Sequence, residues 1–301
     1  MAPPETIDGA ELEHVLSFIE ENIRTIPLKE LLFQVSSKGR KLPKELVHSI
    51  NKATSELAGP RRESIPRFVV VSGPDRSGKE TQCFNRRHFN EITGLNKFLV
   101  NQGYSVLGIS LPSYHTTLGS VVSAYLNHPK AIWKFHGEIS KEHAWLLWSL
   151  DRAQHNSRIL KWTAKSAKHV ALSKRWLESN IIYQKNQGLD ERRILAFEDS
   201  IVKQSHTIIL DAPITTIKER LRGRSRDRYE QPKILQKVRE LYLMLPQLYP
   251  YGDFYLVDAS REMREVNLDL IQLTKHLISS NFSLKKSNTD HYFANDVVPY
   301  T

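Results

Sequence analysis

The sequence predicts an α/β protein of three layers, with a five-stranded parallel sheet between two layers of helices and a helical extension at the N-terminus. Short apolar runs alternate with helical patterns from residue 67 onwards, which is typical of parallel sheets covered on both faces. A glycine-rich turn and a lysine follow the first apolar run, and only helical patterns precede it. We therefore divide the chain into a helical extension (1–65), a sheet domain (66–280) and a polar tail (281–301).

The N-terminal extension is predicted to contain three helices. Apolar residues recur at helical spacing in its first segment, at Leu12, Val15, Phe18, Ile19 and Ile23. Pro27 ends this helix, a second covers 28–35, and a third runs from Pro43 to about Leu57. A linker signal follows at 59–62. The extension carries no catalytic constellation, so its predicted role is packing or interaction, and the sequence does not separate the two.

The sheet domain is predicted from five apolar runs. The strand candidates are 68–72, 104–111, 169–173, 206–210 and 254–257. Helical patterns lie near 80–101, 117–127, 141–162, 190–202, 215–222, 232–245 and 261–278. Right-handed crossovers bring the carboxyl ends of parallel strands to one edge of the sheet, so we expect ligands to bind there.

Composition places the chain among ordinary soluble globular proteins. Of 301 residues, 40% are hydrophobic and 25% are charged. No apolar run has the length of a membrane span, and the acidic N-terminus has no apolar signal core. The single cysteine, Cys83, excludes an internal disulfide and fits a reducing compartment. We therefore expect a cytoplasmic protein with no membrane partner.

The net charge of +10 is compatible with two kinds of partner. Nucleic acid would explain it, and so would polyanionic nucleotide substrates. The sequence has no basic run interleaved with aromatic residues and no zinc-binding pattern. Charge alone does not decide between the two, but without those patterns we do not expect nucleic acid as a partner.

The stretch RFVVVSGPDRSGKETQ (67–82) predicts a phosphate-binding loop, because strand, glycine loop, lysine and helix follow one another in the order that such a loop requires. Glycines let backbone N–H groups turn toward an anion, and a lysine at this position reaches the β- and γ-phosphates. The alternative is a chance glycine turn before a helix. The motif predicts a P-loop NTPase-type fold with ATP bound by Gly73, Pro74, Asp75, Arg76, Ser77, Gly78, Lys79, Glu80 and Thr81.

Four further stretches carry candidate ligand-binding residues. They are LPSY (111–114), AWLLWSLDR (144–152), SKRWLESNIIYQ (173–184) and RLRGRSRDRYE (220–230). Trp148 and Arg152 are four residues apart and share one helix face, where they are either a functional pair or core and solvated residues. The arginines of 220–230 form a basic run, which is either a solvated face or a site for an anionic partner.

In their order and spacing, these five stretches resemble the thymidylate kinase family, a P-loop family of nucleoside monophosphate kinases, over about 67–278. The resemblance implies that Lys79 binds the phosphates of ATP. It implies that Asp75 acts beside the acceptor and the metal, with Arg76 as its basic neighbour. It also implies that 220–230 is a lid whose arginines close over the transferring phosphoryl group and stabilise it. Arg222 and Arg226 are the candidates, although the sequence does not show which of them is catalytic.

The resemblance also implies six acceptor-binding residues. A tyrosine faces the acceptor site, a tryptophan stacks on thymine and an arginine hydrogen-bonds the base. A second arginine holds the acceptor phosphate, an asparagine touches the base, and a second tyrosine crowds the sugar 2′ position and so favours deoxyribose. In that order these residues are Tyr114, Trp148, Arg152, Arg175, Asn180 and Tyr183.

Two residues depart from the family pattern. Glu80 stands where a serine or threonine would hold Mg²⁺, and Lys174 stands where the family has an aspartate. Because the two changes have opposite charge, we predict that Glu80 and Lys174 form a compensating ion pair, within about 4 Å of each other. Metal ligands are then expected at Asp75 and Glu80.

The sequence thus indicates ATP-dependent phosphorylation of dTMP to dTDP, with Mg²⁺ as cofactor. The resemblance implies ATP and dTMP as partners and a homodimer as the assembly. One alternative is a kinase for another nucleoside monophosphate such as dUMP. Another is a catalytically weak relative that binds nucleotides or nucleic acid and acts through its N-terminal helices.

Overall fold

The computed structural model describes residues 5–128, 131–222 and 229–279. The predicted tail and Arg226 lie outside the described residues. The strands are β1 (Glu5–Asp8), β2 (Ser64–Ser72), β3 (Ser105–Ser110), β4 (Trp133–His136), β5 (His169–Lys174), β6 (Lys203–Asp211) and β7 (Asp253–Asp258). The helices before β5 are α1 (Gly9–Asn22), α2 (Leu28–Lys38), α3 (Lys44–Leu57), α4 (Lys79–Phe84), α5 (Leu95–Asn101), α6 (Thr117–Tyr125), α7 (Lys141–Ala144), α8 (Leu146–Ala153) and α9 (Asn156–Thr163). Those after it are α10 (Leu177–Lys185), α11 (Glu191–Phe197), α12 (Ile214–Leu221), α13 (Pro232–Leu243), α14 (Leu245–Leu248) and α15 (Met263–Ser279).

The five predicted strands form one sheet of order β3-β5-β2-β6-β7, in which every neighbouring pair is parallel. The chain leaves β2 toward β3 on one side and leaves β5 toward β6 on the other. Connections that diverge in this way leave a crevice at the carboxyl ends of the two strands, where ligands of α/β proteins bind. The predicted fold class is confirmed.

Strand β2 shows why the sheet is covered on both faces. Its side chains alternate between two apolar clusters, with Phe68 and Val70 in the first cluster and Val69 and Val71 in the second. All four side chains are fully buried. A strand buried on both faces reads as a continuous apolar run, which is how it was recognised in the sequence.

The N-terminal helices share the first of these clusters. Leu46 and Ile50 of α3 belong to the same buried apolar cluster as Phe68, and α3 contacts α6 and α8. Strand β1 pairs in parallel with β4, a small sheet that the sequence did not predict. The domain boundary at residue 65 stays a prediction.

Several predicted helices are shorter than expected. The pattern near 80–101 forms two helices, α4 and α5, joined by the loop 85–94. The break occurs at Asn85, whose backbone is left-handed, with φ of 44°, and such a residue ends a helix. The pattern near 141–162 forms α7, α8 and α9, and the pattern near 190–202 is completed by a 3₁₀ turn at Glu198–Ser200. Among the described helices, none combines the length and apolarity needed to cross a membrane.

Candidate active site

The phosphate-binding loop joins the end of β2 to the start of α4. Gly73 and Gly78 have φ of 130° and 103°, where a side chain is strained, and a Cβ on Gly73 would also clash with the carbonyl oxygen of Leu210. The Nζ atom of Lys79 donates to the carbonyl oxygen of Pro74 and, at 3.3 Å, to Ser77 Oγ. These contacts hold the ammonium group inside the loop.

Burial and a neighbouring cation lower the pKa of Lys79. Its side chain is buried, and desolvation is the larger cause, with the charge of Arg175 next. The carboxylate of Asp75 acts in the opposite direction. An anion bound in this loop would favour the charged form of the lysine, so the electrostatics of the loop favour a polyanion.

Asp75, Arg175 and Tyr183 form one hydrogen-bonded group beside the loop. The Nη2 atom of Arg175 donates to Asp75 Oδ1 and, at 3.0 Å, to the Tyr183 hydroxyl. That hydroxyl donates to Asp75 Oδ2 at 2.7 Å, and the guanidinium lies 4.9 Å from the Tyr183 ring centroid. Burial alone would raise the pKa of Asp75, but the charges of Arg175 and Lys79 outweigh it and hold that pKa well below its usual range.

The other end of the Arg175 guanidinium is fixed by α10 and α13. Its Nη1 atom donates to Ser179 Oγ at 2.9 Å and to the Tyr242 hydroxyl at 3.1 Å. Arg175 follows the last residue of β5, and its backbone N–H donates to Val71 of β2. The register of two neighbouring strands therefore sets the position of this cation relative to the phosphate-binding loop.

Arg152 and Asn180 converge on a buried carboxylate that sequence reasoning missed. Arg152 donates through Nε and Nη2, at 3.2 and 2.9 Å, to Glu198 Oε1. Asn180 Nδ2 donates to the same oxygen at 3.0 Å, and Ser149 Oγ does so at 2.6 Å. A single acidic residue in a helical pattern gives no sequence signal for this role. A buried charge needs partners, and here Glu198 fixes both predicted base-contacting residues.

The stretch 111–114 is held by α8 and the turn after it. Pro112 follows a cis peptide bond. The backbone N–H of Ser113 donates to Asp151 Oδ2 at 3.0 Å, and Ser113 Oγ shares a hydrogen bond of 2.8 Å with His155 Nε2. Burial raises the pKa of Asp151 to about 6 and lowers the pKa of His155 to about 4. Through Ser113, Asp151 and His155 hold the loop that carries Tyr114.

The arginine-rich segment is described at its two ends. Arg76 forms an ion pair with Glu230, with Nε and Oε1 2.7 Å apart. Arg220 donates through Nη1 and Nη2 to the carbonyl oxygens of Arg76 and Ala259. Arg222 ends α12 with its side chain exposed and lines neither of the cavities described below. Arg220 and Glu230, at the two described ends of the segment, thus both contact Arg76 of the phosphate-binding loop.

Glu80 and Lys174 lie within ion-pair distance, as predicted, with Oε2 and Nζ 3.2 Å apart. Glu80 Oε2 also accepts a hydrogen bond from Ser110 Oγ at 3.0 Å, and Oε1 lies 3.1 Å from Arg86 Nε. Both oxygens of Glu80 face cations, and those of Asp75 are engaged by Arg175 and Tyr183. Across the described ranges, no group of three or more His, Cys, Asp or Glu side chains could hold a metal ion. This donor set does not fit a metal held by the protein.

Two adjoining cavities contain most of the predicted site. The loop cavity, of about 490 Å³, is lined by Lys79 and by the predicted ATP-binding residues from Asp75 to Thr81. The inner cavity, of about 60 Å³, is lined by the six predicted acceptor-binding residues: Tyr114, Trp148, Arg152, Arg175, Asn180 and Tyr183. Asp75, Tyr114 and Arg175 line both cavities, so residues from distant parts of the chain meet at the mouth of the loop.

The chain was compared with known proteins. The family model for thymidylate kinase matches residues 71–270. A probable thymidylate kinase from Thermococcus gammatolerans is 29% identical over 71% of this chain and 98% of its own length. One from Pyrobaculum aerophilum is 32% identical over 70% of this chain and 97% of its own length.

A solved structure shares the fold. The thymidylate kinase from Candida albicans is similar with a TM-score of 0.52 and 21% sequence identity, over 73% of this chain and 95% of that one. Because the sequence identity is low, this similarity supports the shared architecture alone. The family model, in contrast, covers about two thirds of the chain and includes both cavities. This chain therefore belongs to the thymidylate kinase family.

Proposed function

We propose that this protein transfers the γ-phosphoryl group of ATP to the phosphate of dTMP, giving ADP and dTDP. The observation that carries the proposal is the shared wall of the two cavities, where Asp75 of the phosphate-binding loop pairs with Arg175 next to the predicted base-contacting residues. A phosphoryl group passes in line from donor to acceptor, so the two phosphates must meet at such a wall.

The donor half of the proposal depends on Lys79 and the loop backbone. The ammonium group is buried beside Arg175, and its pKa is lowered by desolvation and by that cation. The phosphates of ATP would supply negative charge that compensates the two neighbouring cations, Lys79 and Arg175. Binding of ATP would then stabilise the charged lysine, which neutralises charge on the β- and γ-phosphates.

The acceptor half depends on the inner cavity. Arg175 would exchange one contact with Asp75 for the acceptor phosphate, since a guanidinium matches phosphate geometry. Arg152 and Asn180 would read the base, with their orientations fixed by Glu198, and Trp148 would stack on it. Tyr183, beside Asp75, would crowd a 2′-hydroxyl and favour a deoxynucleotide.

Charge neutralisation is the main catalytic requirement, because phosphoryl transfer needs little covalent help from the protein. We propose Arg76 and arginines of the segment 220–230 for this role, including Arg222 and Arg226. Arg220 and the Arg76–Glu230 pair already connect that segment to the loop. Asp75 would orient the acceptor side through Arg175 and Tyr183.

Magnesium is proposed as a companion of ATP. This ion keeps several waters and is bound largely through substrate phosphates, where it neutralises their charge. The sequence predicted Asp75 and Glu80 as protein ligands, but both carboxylates are engaged by cations in this structure and do not fit that role. We therefore assign no step to a metal held by the protein.

A coupled assay of ADP release tests the proposal with a panel of deoxynucleoside and nucleoside monophosphates. We expect turnover with dTMP, and a loss of about a hundredfold or more in kcat/KM for Lys79→Ala. Turnover of other acceptors such as dUMP without dTMP would indicate a different monophosphate kinase. No turnover with any acceptor, from protein that is folded and binds ATP, would overturn the proposal.

A further inference from the structure

The loop 85–94 is an ordered platform at the edge of the loop cavity. Asn85 organises it from within, because its Nδ2 atom donates to the carbonyl oxygens of Phe89 and Ile92 at 2.8 and 3.1 Å. Its Oδ1 atom accepts from the Phe89 N–H at 3.0 Å. One side chain thus supplies three hydrogen bonds to the loop backbone, which a solvated connection between two helices would not need.

The far end of the same loop is fixed by α15. Asn267, which is buried, accepts from the Thr93 N–H at 3.2 Å and donates to the Thr93 carbonyl oxygen at 3.0 Å. Its Nδ2 atom also donates to Gln82 Oε1 of α4, at 2.9 Å. The loop is therefore held at both ends by buried or half-buried amides.

This platform carries two neighbouring arginines to the loop cavity. Arg86 and Arg87 both line that cavity, with Phe89 beside them, and neither lines the inner cavity. Both arginines are exposed, and the Arg86 guanidinium lies 5.2 Å from the Phe84 ring centroid. The two cations thus share the loop cavity with the phosphate-binding loop and lie outside the inner cavity.

The ion pairs in the loop cavity leave Arg86 and Arg87 able to bind an anion. Arg86 faces Glu80, but that carboxylate is shared with Lys174. Arg87 makes no ion pair with any residue in the described ranges. Lys79, Glu80 and Arg86 all line the loop cavity, so the Arg86–Glu80 pair shares that cavity with the lysine predicted to reach the β- and γ-phosphates.

Building on the proposed function, we propose that Arg86 and Arg87 form a clamp for the terminal phosphate of the donor nucleoside triphosphate. A guanidinium pairs with phosphate oxygens through two parallel hydrogen bonds, and two adjacent guanidiniums hold a group that carries more than one negative charge. The diphosphate product has no group at that position. The clamp would therefore distinguish ATP from ADP.

Calorimetric binding of ATP and of ADP to the full chain tests the clamp. Arg87→Gln is the main variant because Arg87 makes no ion pair within the described ranges. The double variant Arg86→Gln/Arg87→Gln removes both cations and should have the larger effect. Lys97→Gln, an exposed cation on α5 outside the cavity lining, is the matched control. We expect the affinity for ATP to fall about fivefold in Arg87→Gln and about tenfold or more in the double variant. The affinity for ADP should stay unchanged in both variants, and Lys97→Gln should alter neither.

The outcomes separate the clamp from the proposed function. Equal loss for ATP and ADP, no loss for either, or loss for dTMP alone would overturn the clamp, as would wild-type protein that binds ATP no better than ADP. If the wild type phosphorylates no monophosphate but the variants still lose ATP discrimination, the proposed function fails and the clamp stands.

Discussion

Lys174 Nζ lies 3.2 Å from Glu80 Oε2, so an ion pair joins the end of β5 to the first turn of α4. The lysine is mostly buried and the glutamate is partly exposed, with side-chain exposures of 16% and 39%. Burial lowers the pKa of Lys174, and the charge of Glu80 opposes that effect. The pair therefore keeps a cation beside Arg175 and Lys79 that would otherwise be poorly compensated.

We predict that Glu80 and Lys174 are energetically coupled. In a double-mutant cycle of Glu80→Gln and Lys174→Gln, the two single variants should together lose more stability than the double variant. The coupling should be about 1 kcal/mol, near the upper end for a pair that remains partly solvated. Urea denaturation measures it. The exposed pair Arg61–Glu63 (62% and 70%) is the control and should show coupling near zero. If the Glu80–Lys174 coupling energy were as small as that of the Arg61–Glu63 pair, the ion pair would not contribute to stability.

A second prediction concerns the pH dependence of stability at Asp151. Burial raises its pKa to about 6 in the folded protein from the usual 3.8, although Ser113 and Gln154 donate hydrogen bonds to it. Between pH 3.8 and about 6 the folded state binds more protons than the unfolded state. The contribution of Asp151 to stability is therefore complete below pH 4 and is lost as the pH rises through 6. Relative to Asp151→Asn, the wild type should therefore lose about 2 kcal/mol between pH 4.5 and 7.

In the same pH range, His155 changes the free energy of unfolding with the opposite sign. Burial lowers its pKa to about 4, so its contribution is present above pH 6.5 and is lost as the pH falls through 4. Relative to His155→Gln, the wild type should gain stability from pH 4.5 to 7. Urea unfolding of the three proteins at several pH values measures both slopes. If the free energies of unfolding of the wild type and Asp151→Asn changed in parallel with pH, the raised pKa of Asp151 would be contradicted.

A third prediction separates two roles of Tyr183. Its hydroxyl joins Asp75 to Arg175, whereas its ring is proposed to exclude a 2′-hydroxyl. Tyr183→Phe should raise the KM for dTMP about tenfold, because Arg175, the proposed acceptor-binding arginine, loses a hydrogen bond. The preference for deoxyribose should be kept. Tyr183→Ala should reduce that preference as well. Steady-state kinetics with matched deoxy- and ribonucleotides measures the split, and a preference unchanged in the alanine variant would remove the ring from sugar recognition.

The sequence predicted the parts of the site that follow strand ends. The phosphate-binding loop and Arg175 come directly after β2 and β5, where alternation and strand order bring residues to one edge. It did not predict Glu198, because its four hydrogen bonds to Arg152, Asn180 and Ser149 come from residues distant in sequence. No local pattern encodes such a contact.

The loop 85–94 was missed for a related reason. Helical periodicity continues on both sides of it, and the break depends on a left-handed residue, Asn85, whose side chain replaces helical hydrogen bonds. The small sheet of β1 and β4 was missed because each strand has four residues, too few for periodicity to identify. Tertiary contacts stabilise these elements more than their own sequences do.

The last prediction concerns the extension and whether it unfolds with the rest of the chain. Ile50 of α3 is buried in the apolar cluster that also contains Phe68 of the central strand and Trp176 after β5. Ile50→Ala should therefore lower the free energy of unfolding by about 3 kcal/mol. It should do so in one transition seen alike by tryptophan fluorescence, far-UV circular dichroism and kinase activity.

Phe33→Ala on α2 is the matched control for that variant. Phe33 is 65% exposed, and substitutions at exposed positions change stability by about 0.5 kcal/mol or less. An extension that folds independently would give two transitions, and Ile50→Ala would shift the first without affecting activity. A single shared transition is expected because the same buried side chains contact both parts, so neither can lose its packing without exposing the apolar surface of the other.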